Sequence, residues 1–211
     1  LMKQIYIVGA GGFGREVFDW MIETYDFIEE YSFAGFLDDN LQALDGFSIE
    51  AKVVNKISDY KADKNDCLIC GIGNPSIKKE ICQSLIDKGG KFISLIHPSA
   101  KLGRSSKVGR GSVICPNVVI TCDVEVGNFV MINLSTTLGH DSKVGDWSTL
   151  SAQCDITGFV EVGESVFLGS GARIIPSKTI GSSSIIGAGS VVIRDVAPKT
   201  SVFGNPARPI F

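Results

Sequence analysis

Histidine is almost missing from this chain: 2 of 211 residues, His97 and His140. That is too few for a three-histidine zinc site within one chain, and no metal is expected. No apolar run approaches the length of about eighteen residues that a membrane helix needs, so no membrane association is expected. Basic residues are not in excess either. Lys and Arg number 20 against 23 Asp and Glu, a net charge of −3, and nucleic-acid binders usually carry a basic stripe. The 6 cysteines are scattered. Only Cys67 and Cys70 show a C-x-x-C spacing, in "DCLICGIG". That stretch reads as a buried strand, which points the two thiols to opposite faces. Reduced, structural thiols of a cytoplasmic protein are the expectation. The start, "LMKQIYIVGAGG", reads as a strand running into glycines, without the charged region and cleavage site of a secretory signal.

What is present falls into two grammars. Over the first part, apolar runs alternate with helical patterns: strands "QIYIVGAGG", "SFAGFLDD", "DCLICGIGN" and "KFISLIHP", helices "FGREVFDWMIETY" and "SIKKEICQSLIDKGG". Alternation of this kind predicts a small parallel sheet with helices on its faces. From residue 102 a strict period of six takes over. Leu102, Val108, Ile114, Ile120, Val126, Ile132, Leu138, Val144, Leu150, Ile156, Val162, Leu168, Ile174, Ile180, Ile186 and Val192 are all aliphatic. Glycine follows the aliphatic at nine of these, among them Gly109, Gly139 and Gly169. A six-residue repeat predicts a parallel β-helix, with three hexads to a triangular coil and coils about 4.8 Å apart. The aliphatics point inward, and the glycines are expected to relieve the backbone at the corners. The boundary is placed between residues 1–94 and 95–211.

Residues eighteen apart stack on neighbouring coils in this frame. His140 then lies near a corner, above Cys122 and below Gly158. Two readings stand: a polar corner residue, or a general base, since histidine titrates near working pH. Asp141 follows directly and would hold the ring in one tautomer. Cys122 as a nucleophile is a weaker alternative, because small apolar stacking explains it equally well. His97, in "LIHPSA", reads as a junction residue. Phe129 and Trp147 are stacked partners three after an inward aliphatic. They are expected to face outward, as part of an interface between subunits.

Gly9, Gly11 and Gly14 in "GAGGFG" match G-x-G-x-x-G, after a strand and before a helix. Asp38 and Asp39 lie at the next strand end. This is the fingerprint of a Rossmann-like, nucleotide-binding turn, with phosphate on the helix N-terminus and an acid on a ribose hydroxyl. Glycines needed only for a tight turn are the plainer reading. Asn74, at the end of another strand, is expected to line the same crevice. Arg173, Lys178, Arg194, Lys199 and Arg208 make the late coils and tail basic, suited to phosphates or to plain solvation.

The order "GAGGFGREV", "FLDD", "GIGNPSIKKEI", "LIHPSA", "NLSTTLGHDSKVGD" and "GAGSVV…VFGNPARPI" resembles the bacterial sugar O- and N-acetyltransferases of the NeuD/PglD type, over essentially the whole chain. The resemblance implies a left-handed β-helix, a homotrimer with active sites between neighbouring β-helices, acetyl-CoA as co-substrate, and a nucleotide-linked sugar as acceptor in surface-glycan synthesis. It assigns His140 as base, Asp141 as its orienting acid, Asn133 as a polar active-site residue, and Gly158 as the amide facing the thioester. Ser151, Gly158, Ser170, Ala188 and Gly189 would contact coenzyme A. Gly11, Gly12, Phe13, Asp38, Asp39 and Asn74 would contact the sugar nucleotide. Several relatives have histidine at the position of Phe13, the position of Gly139 is often acidic in relatives, and one relative has a histidine lining the coenzyme channel at that of Thr149, which leaves the acceptor open. A sialic-acid-type O-acetyltransferase is the nearest alternative. A nucleotide-binding oxidoreductase and a non-catalytic β-helix scaffold are the distant ones.

Overall fold

The computed structural model describes residues 2–25 and 29–210. It opens with strand β1 (Lys3–Val8), helix α1 (Gly12–Tyr25), β2 (Tyr31–Leu37), β3 (Val53–Asn55), β4 (Asp66–Cys70) and α2 (Pro75–Asp87). The four strands form one parallel sheet in the order β3-β2-β1-β4. Alternation along the strands sends Ile5, Ile7, Cys67 and Ile69 toward α1. It sends Val8, Leu68 and Cys70 toward Cys82 and Leu85 of α2. The two thiols of the C-x-x-C therefore do face apart, and both are free. Asn74 caps α2: its side-chain oxygen accepts from the N–H groups of Ser76 and Ile77 at 3.0 and 3.1 Å, ahead of Pro75 at the first helical position.

"KFISLIHP" is not a strand of this sheet. Phe92 makes a single bridge to Leu68. Strand β5 (Leu95–Ile96) instead pairs with Val113–Ile114 and is the first rung of the β-helix.

The β-helix has three faces. The first holds β5, Val113–Ile114, Met131–Ile132, Thr149–Leu150, Phe167–Leu168, Ile185–Ile186 and Ser201–Phe203; the second runs from Lys101–Leu102 to Val191–Val192; the third from Lys107–Val108 to Thr179–Ile180. Through most of the stack each rung pairs in parallel with the residue eighteen further on, as in Val126 with Val144 and Val144 with Val162; at the top Ile185–Ile186 pairs with Ser201–Val202, sixteen further on. Fourteen of the sixteen periodic aliphatics are buried. Leu102 and Val108, at the open lower end, are not.

The hexad glycines serve a different purpose from the one expected. The left-handed conformation falls three residues after each inward aliphatic, at every sixth residue from Gly111 to Gly189, and most of these residues are Asn, Asp, Ser or Gln. Asn, Asp and Gly take that conformation most readily. The glycines that follow the aliphatics are there because coils press together. A Cβ on Gly109 would lie 2.4 Å from the oxygen of Gly127, and one on Gly139 would lie 2.7 Å from the nitrogen of Gly158.

Phe129 and Trp147 are the second correction. Their rings stack at 4.3 Å and 8°, but they are 2% and 8% exposed. Phe92 packs edge-on against Phe129 at 5.1 Å, and Val8, Leu37, Cys82 and Leu85 complete the cluster. They seal the two halves of one chain together rather than two subunits. The sheet with its helices needed a second surface to bury, and this pair supplies it.

Candidate active site

Gly139, His140 and Asp141 form the corner between the second and third faces. The corner is fixed by its neighbours. Asp141 N–H donates to the Cys122 carbonyl at 3.2 Å, and the His140 carbonyl accepts from Phe159 N–H at 3.0 Å. Buried Ser142 donates its hydroxyl to the Gly139 carbonyl at 2.7 Å. Asp141 is left-handed, with φ +60°. That turn brings its carboxylate back onto the ring, with Nδ1···Oδ2 at 2.8 Å. A carboxylate only accepts, so in the neutral ring the proton sits on Nδ1, and Nε2 makes no hydrogen bond among the described residues.

Nε2 lies over Gly158, one coil on. A Cβ there would sit 2.7 Å from Nε2. The Gly158 N–H meets no acceptor among the described residues, and Gly139 lacks the Cβ that would crowd it. The His140 and Asp141 side chains are 54% and 45% exposed. Phe159 stands beside them, its ring edge-to-face with the imidazole at 5.1 Å and 89°. The exposed imidazole nitrogen and the buried, unpaired Gly158 amide thus lie next to one another at this corner.

The remaining residues lie elsewhere. Asn133, Ser151, Ser170, Ala188 and Gly189 line the corner between the first and second faces, on rising coils. Asn133 turns its side-chain oxygen to the Leu134 N–H at 2.7 Å. Ala188 and Gly189 are exposed, and open space lies above Gly189. This corner and that of His140 are opposite edges of the second face, about 20 Å of extended chain apart. One chain does not bring Asn133 to His140.

The glycine turn forms a third group. Gly9 has φ +95°, and a Cβ on Gly14 would meet the Gly9 carbonyl at 2.0 Å, so these two glycines are sterically required. Gly11 and Gly12 face open space. Asp38 clamps the turn: its oxygens accept from the N–H groups of Ala10 and Asn40 at 2.8 and 2.9 Å. Asp39 accepts from Ser58 N–H at 3.3 Å. Phe13 packs edge-on against Trp20 and, with Leu134, against the main core. Burial pushes the Cys115 thiol well up, and Glu16 of α1 adds to it. The start of α1 therefore lies close to the first-to-second corner. Asn74 does not line that turn as a free side chain: its oxygen is taken by the α2 cap. It borders a separate cleft with Ser165, Phe167, Ser183 and Ile185.

Thr149 lines no open channel, being 3% exposed. Its hydroxyl donates to the Gly73 carbonyl at 2.7 Å and accepts from Lys78 Nζ at 3.0 Å. Lys78 also donates to the Ser148 carbonyl at 3.1 Å. Burial lowers the Lys78 pKa to about 8, against the opposing pull of Cys70 and Cys82. Phe159 and Lys78 were not singled out from the sequence. Phe159 could have been, because it occupies the same hexad position as Phe129 and Trp147. Nothing local marks Lys78. Among the described residues no cluster suits a metal ion, and no helix is long and apolar enough to cross a membrane.

Residues 4–85 match the PglD N-terminal domain family. The acetyltransferase domain of PglB from Neisseria gonorrhoeae FA1090, in complex with acetyl coenzyme A, superposes with a TM-score of 0.89 at 27% identity, covering 100% of both chains. PerB from Caulobacter crescentus, in complex with CoA and GDP-perosamine, gives 0.87 at 27% identity, covering 100% of this chain and 99% of that one. Taken together, these matches make the chain similar, along its whole length, to sugar acetyltransferases of the NeuD/PglD type. The β-helix is accordingly of the left-handed hexapeptide type. UDP-N-acetylbacillosamine N-acetyltransferase of Bacillus subtilis (strain 168) is 33% identical over 117 residues, 54% of this chain and 51% of that protein. The match thus spans about half the length of this curated relative.

Proposed function

We propose that this NeuD/PglD-type protein transfers an acetyl group from acetyl-CoA to an amine of a nucleotide-linked sugar. The observation that carries the reading is the pairing at one corner: His140 Nε2 free, Nδ1 held by Asp141, and an unpaired Gly158 N–H beneath. His140 removes a proton from the acceptor nitrogen as that nitrogen attacks the thioester carbon. The C=O becomes an oxyanion, which the Gly158 N–H meets. When the C–S bond breaks, the sulfur leaves as thiolate and takes the proton back from the imidazolium. Asp141 keeps the ring in the competent tautomer throughout. One oxyanion donor is worth about 3–4 kcal/mol.

Complexes of the similar proteins with acetyl coenzyme A, and with CoA and GDP-perosamine, support the substrate classes. The separation of the two corners supports a trimer. The His140 corner of one subunit meets Asn133, Ser151, Ser170, Ala188 and Gly189 of the next, beside that subunit's glycine turn. Gly11, Gly12, Phe13, Asp38 and Asp39 would then hold the sugar nucleotide. An amine acceptor is preferred over a hydroxyl because the sugars named among these similar proteins, N-acetylbacillosamine and perosamine, are amino sugars.

The test is thiol release from acetyl-CoA with UDP-, GDP- and dTDP-linked amino sugars and with sialic acid, for wild type and His140→Ala. Turnover with an amino sugar that falls by orders of magnitude in the variant is expected. Turnover confined to sialic acid would make it an O-acetyltransferase. Turnover that survives in the variant would remove His140 as base.

A further inference from the structure

Three aromatic residues sit in left-handed corner positions: Phe129, Trp147 and Phe159, with φ of +54°, +65° and +59°. Bulky side chains are uncommon there and cost of order 1 kcal/mol or more each. For Phe129 and Trp147 the compensation is visible, since both are buried beneath the other half of the chain. Phe159 has no such cover. It is 55% exposed, beside Met2 and Phe203 among the most exposed large apolar residues described. The coil below offers Asp141 at the same corner position and the coil above offers Ser177, so polar residues fit this corner well.

What distinguishes Phe159 is its neighbour. Its ring stands at 89° to the His140 imidazole, 5.1 Å between centroids, and its backbone N–H holds the His140 carbonyl. Gly158, the preceding residue, carries the free amide. Acceptor nitrogen and thioester carbon must meet above Nε2 and Gly158, so whatever reacts there passes the open part of the Phe159 ring. A pyranose presents a flat array of C–H bonds on one face, and such faces stack on aromatic rings while their hydroxyls and amines point outward. We propose that Phe159 is a specificity residue for the acceptor: it stacks on the C–H face of the sugar and so aims the amine at His140 Nε2. This rests on the acetyltransferase reading above. It adds a selection rule, that an acceptor whose sugar face is interrupted by an axial hydroxyl is discriminated against.

The experiment compares wild type with Phe159→Ala, Phe159→Leu and Phe159→Tyr. Binding of a UDP- or GDP-linked amino sugar in the presence of CoA is measured by calorimetry, with steady-state kinetics alongside. For Phe159→Ala and Phe159→Leu the sugar Kd and KM are expected to rise about tenfold, the loss of one aromatic contact. The KM for acetyl-CoA, the pH profile of kcat and the sedimentation coefficient stay put, and Phe159→Tyr restores the affinity. A raised KM for acetyl-CoA with unchanged sugar binding would overturn the proposal by placing the pantetheine arm on the ring. A fallen sedimentation coefficient would overturn it by making Phe159 a subunit contact, and a displaced pH profile by making it an orienter of His140. Wild type that binds CoA but none of the sugar nucleotides would overturn the amino-sugar reading and the stacking role together. Wild type that binds and acetylates the sugar while the Ala and Leu variants match it would overturn the stacking role alone.

Discussion

The two halves of this chain bury their apolar surface in opposite ways. The N-terminal half hides a four-stranded sheet between α1 and α2, using residues far apart in sequence such as Ile5, Val17 and Ile69. The β-helix hides one aliphatic per hexad inside itself, each against its own equivalents eighteen residues away. A self-packed prism leaves its corners free of structural demand beyond a left-handed turn. Those corners are therefore where His140, Asp141, Asn133 and Ser151 can sit without disturbing the core. The sheet, by contrast, needs a partner surface, and it takes the Phe129–Trp147 corner.

His140→Ala breaks the corner chemistry alone. Thiol release should fall by about 10²–10⁴-fold, the usual share of a general base, while the urea midpoint stays within error because the side chain is exposed. Parallel loss of stability would mean the corner is structural. Trp147→Ala strikes the seam between the halves. It should cost about 3 kcal/mol or more, and denaturation followed by separate probes of the two halves should lose coincidence. A single unchanged transition would show that the halves do not depend on this stack.

Lys78→Met probes the same seam through pH. The folded Lys78 pKa of about 8 lies below its ordinary 10.5. The unfolded chain therefore binds more protons between these values, and stability rises as pH climbs through that window. The depression of about two and a half pH units corresponds to roughly 3 kcal/mol. The Met variant should flatten the rise, as read from urea midpoints between pH 7.5 and 10.5. An unchanged slope would place the titration elsewhere. The smallest effect belongs to Lys79→Ala, which removes a half-exposed ion pair to Glu164 across the same seam. It should cost under about 1 kcal/mol and fade in high salt. A larger loss would mean that surface charge, not the buried aromatic pair, joins the halves.

Much of this was legible in advance because it follows local rules. Period-six aliphatics set the rungs and their stacking, and Asp141 next to His140 announced the held imidazole. The glycine after each aliphatic was legible as a position but not as a cause: only the coil spacing shows that Gly139 is there for want of room against Gly158. The hexad alone points Phe129 and Trp147 outward, toward a subunit, because nothing in it tells which outer surface a distant helix will cover. The burial of Thr149 and the role of Lys78 are illegible for the same reason. Their partners lie some seventy residues away across the seam, and no spacing encodes that contact.

By itself, the order of residues determined the two-part architecture, the inward row, the corner that carries His140 and Asp141, and the turn of Gly9 and Gly14. Each depends on interactions within a strand, a turn or one repeat. The same repeat puts Asn133 and His140 on opposite edges of one face. Tertiary structure alone decided that the aromatic pair closes the chain on itself, and that Phe159 is left open beside the imidazole. Those outcomes turn on how two differently built halves cover one another, and that depends on three-dimensional surfaces that no periodicity specifies.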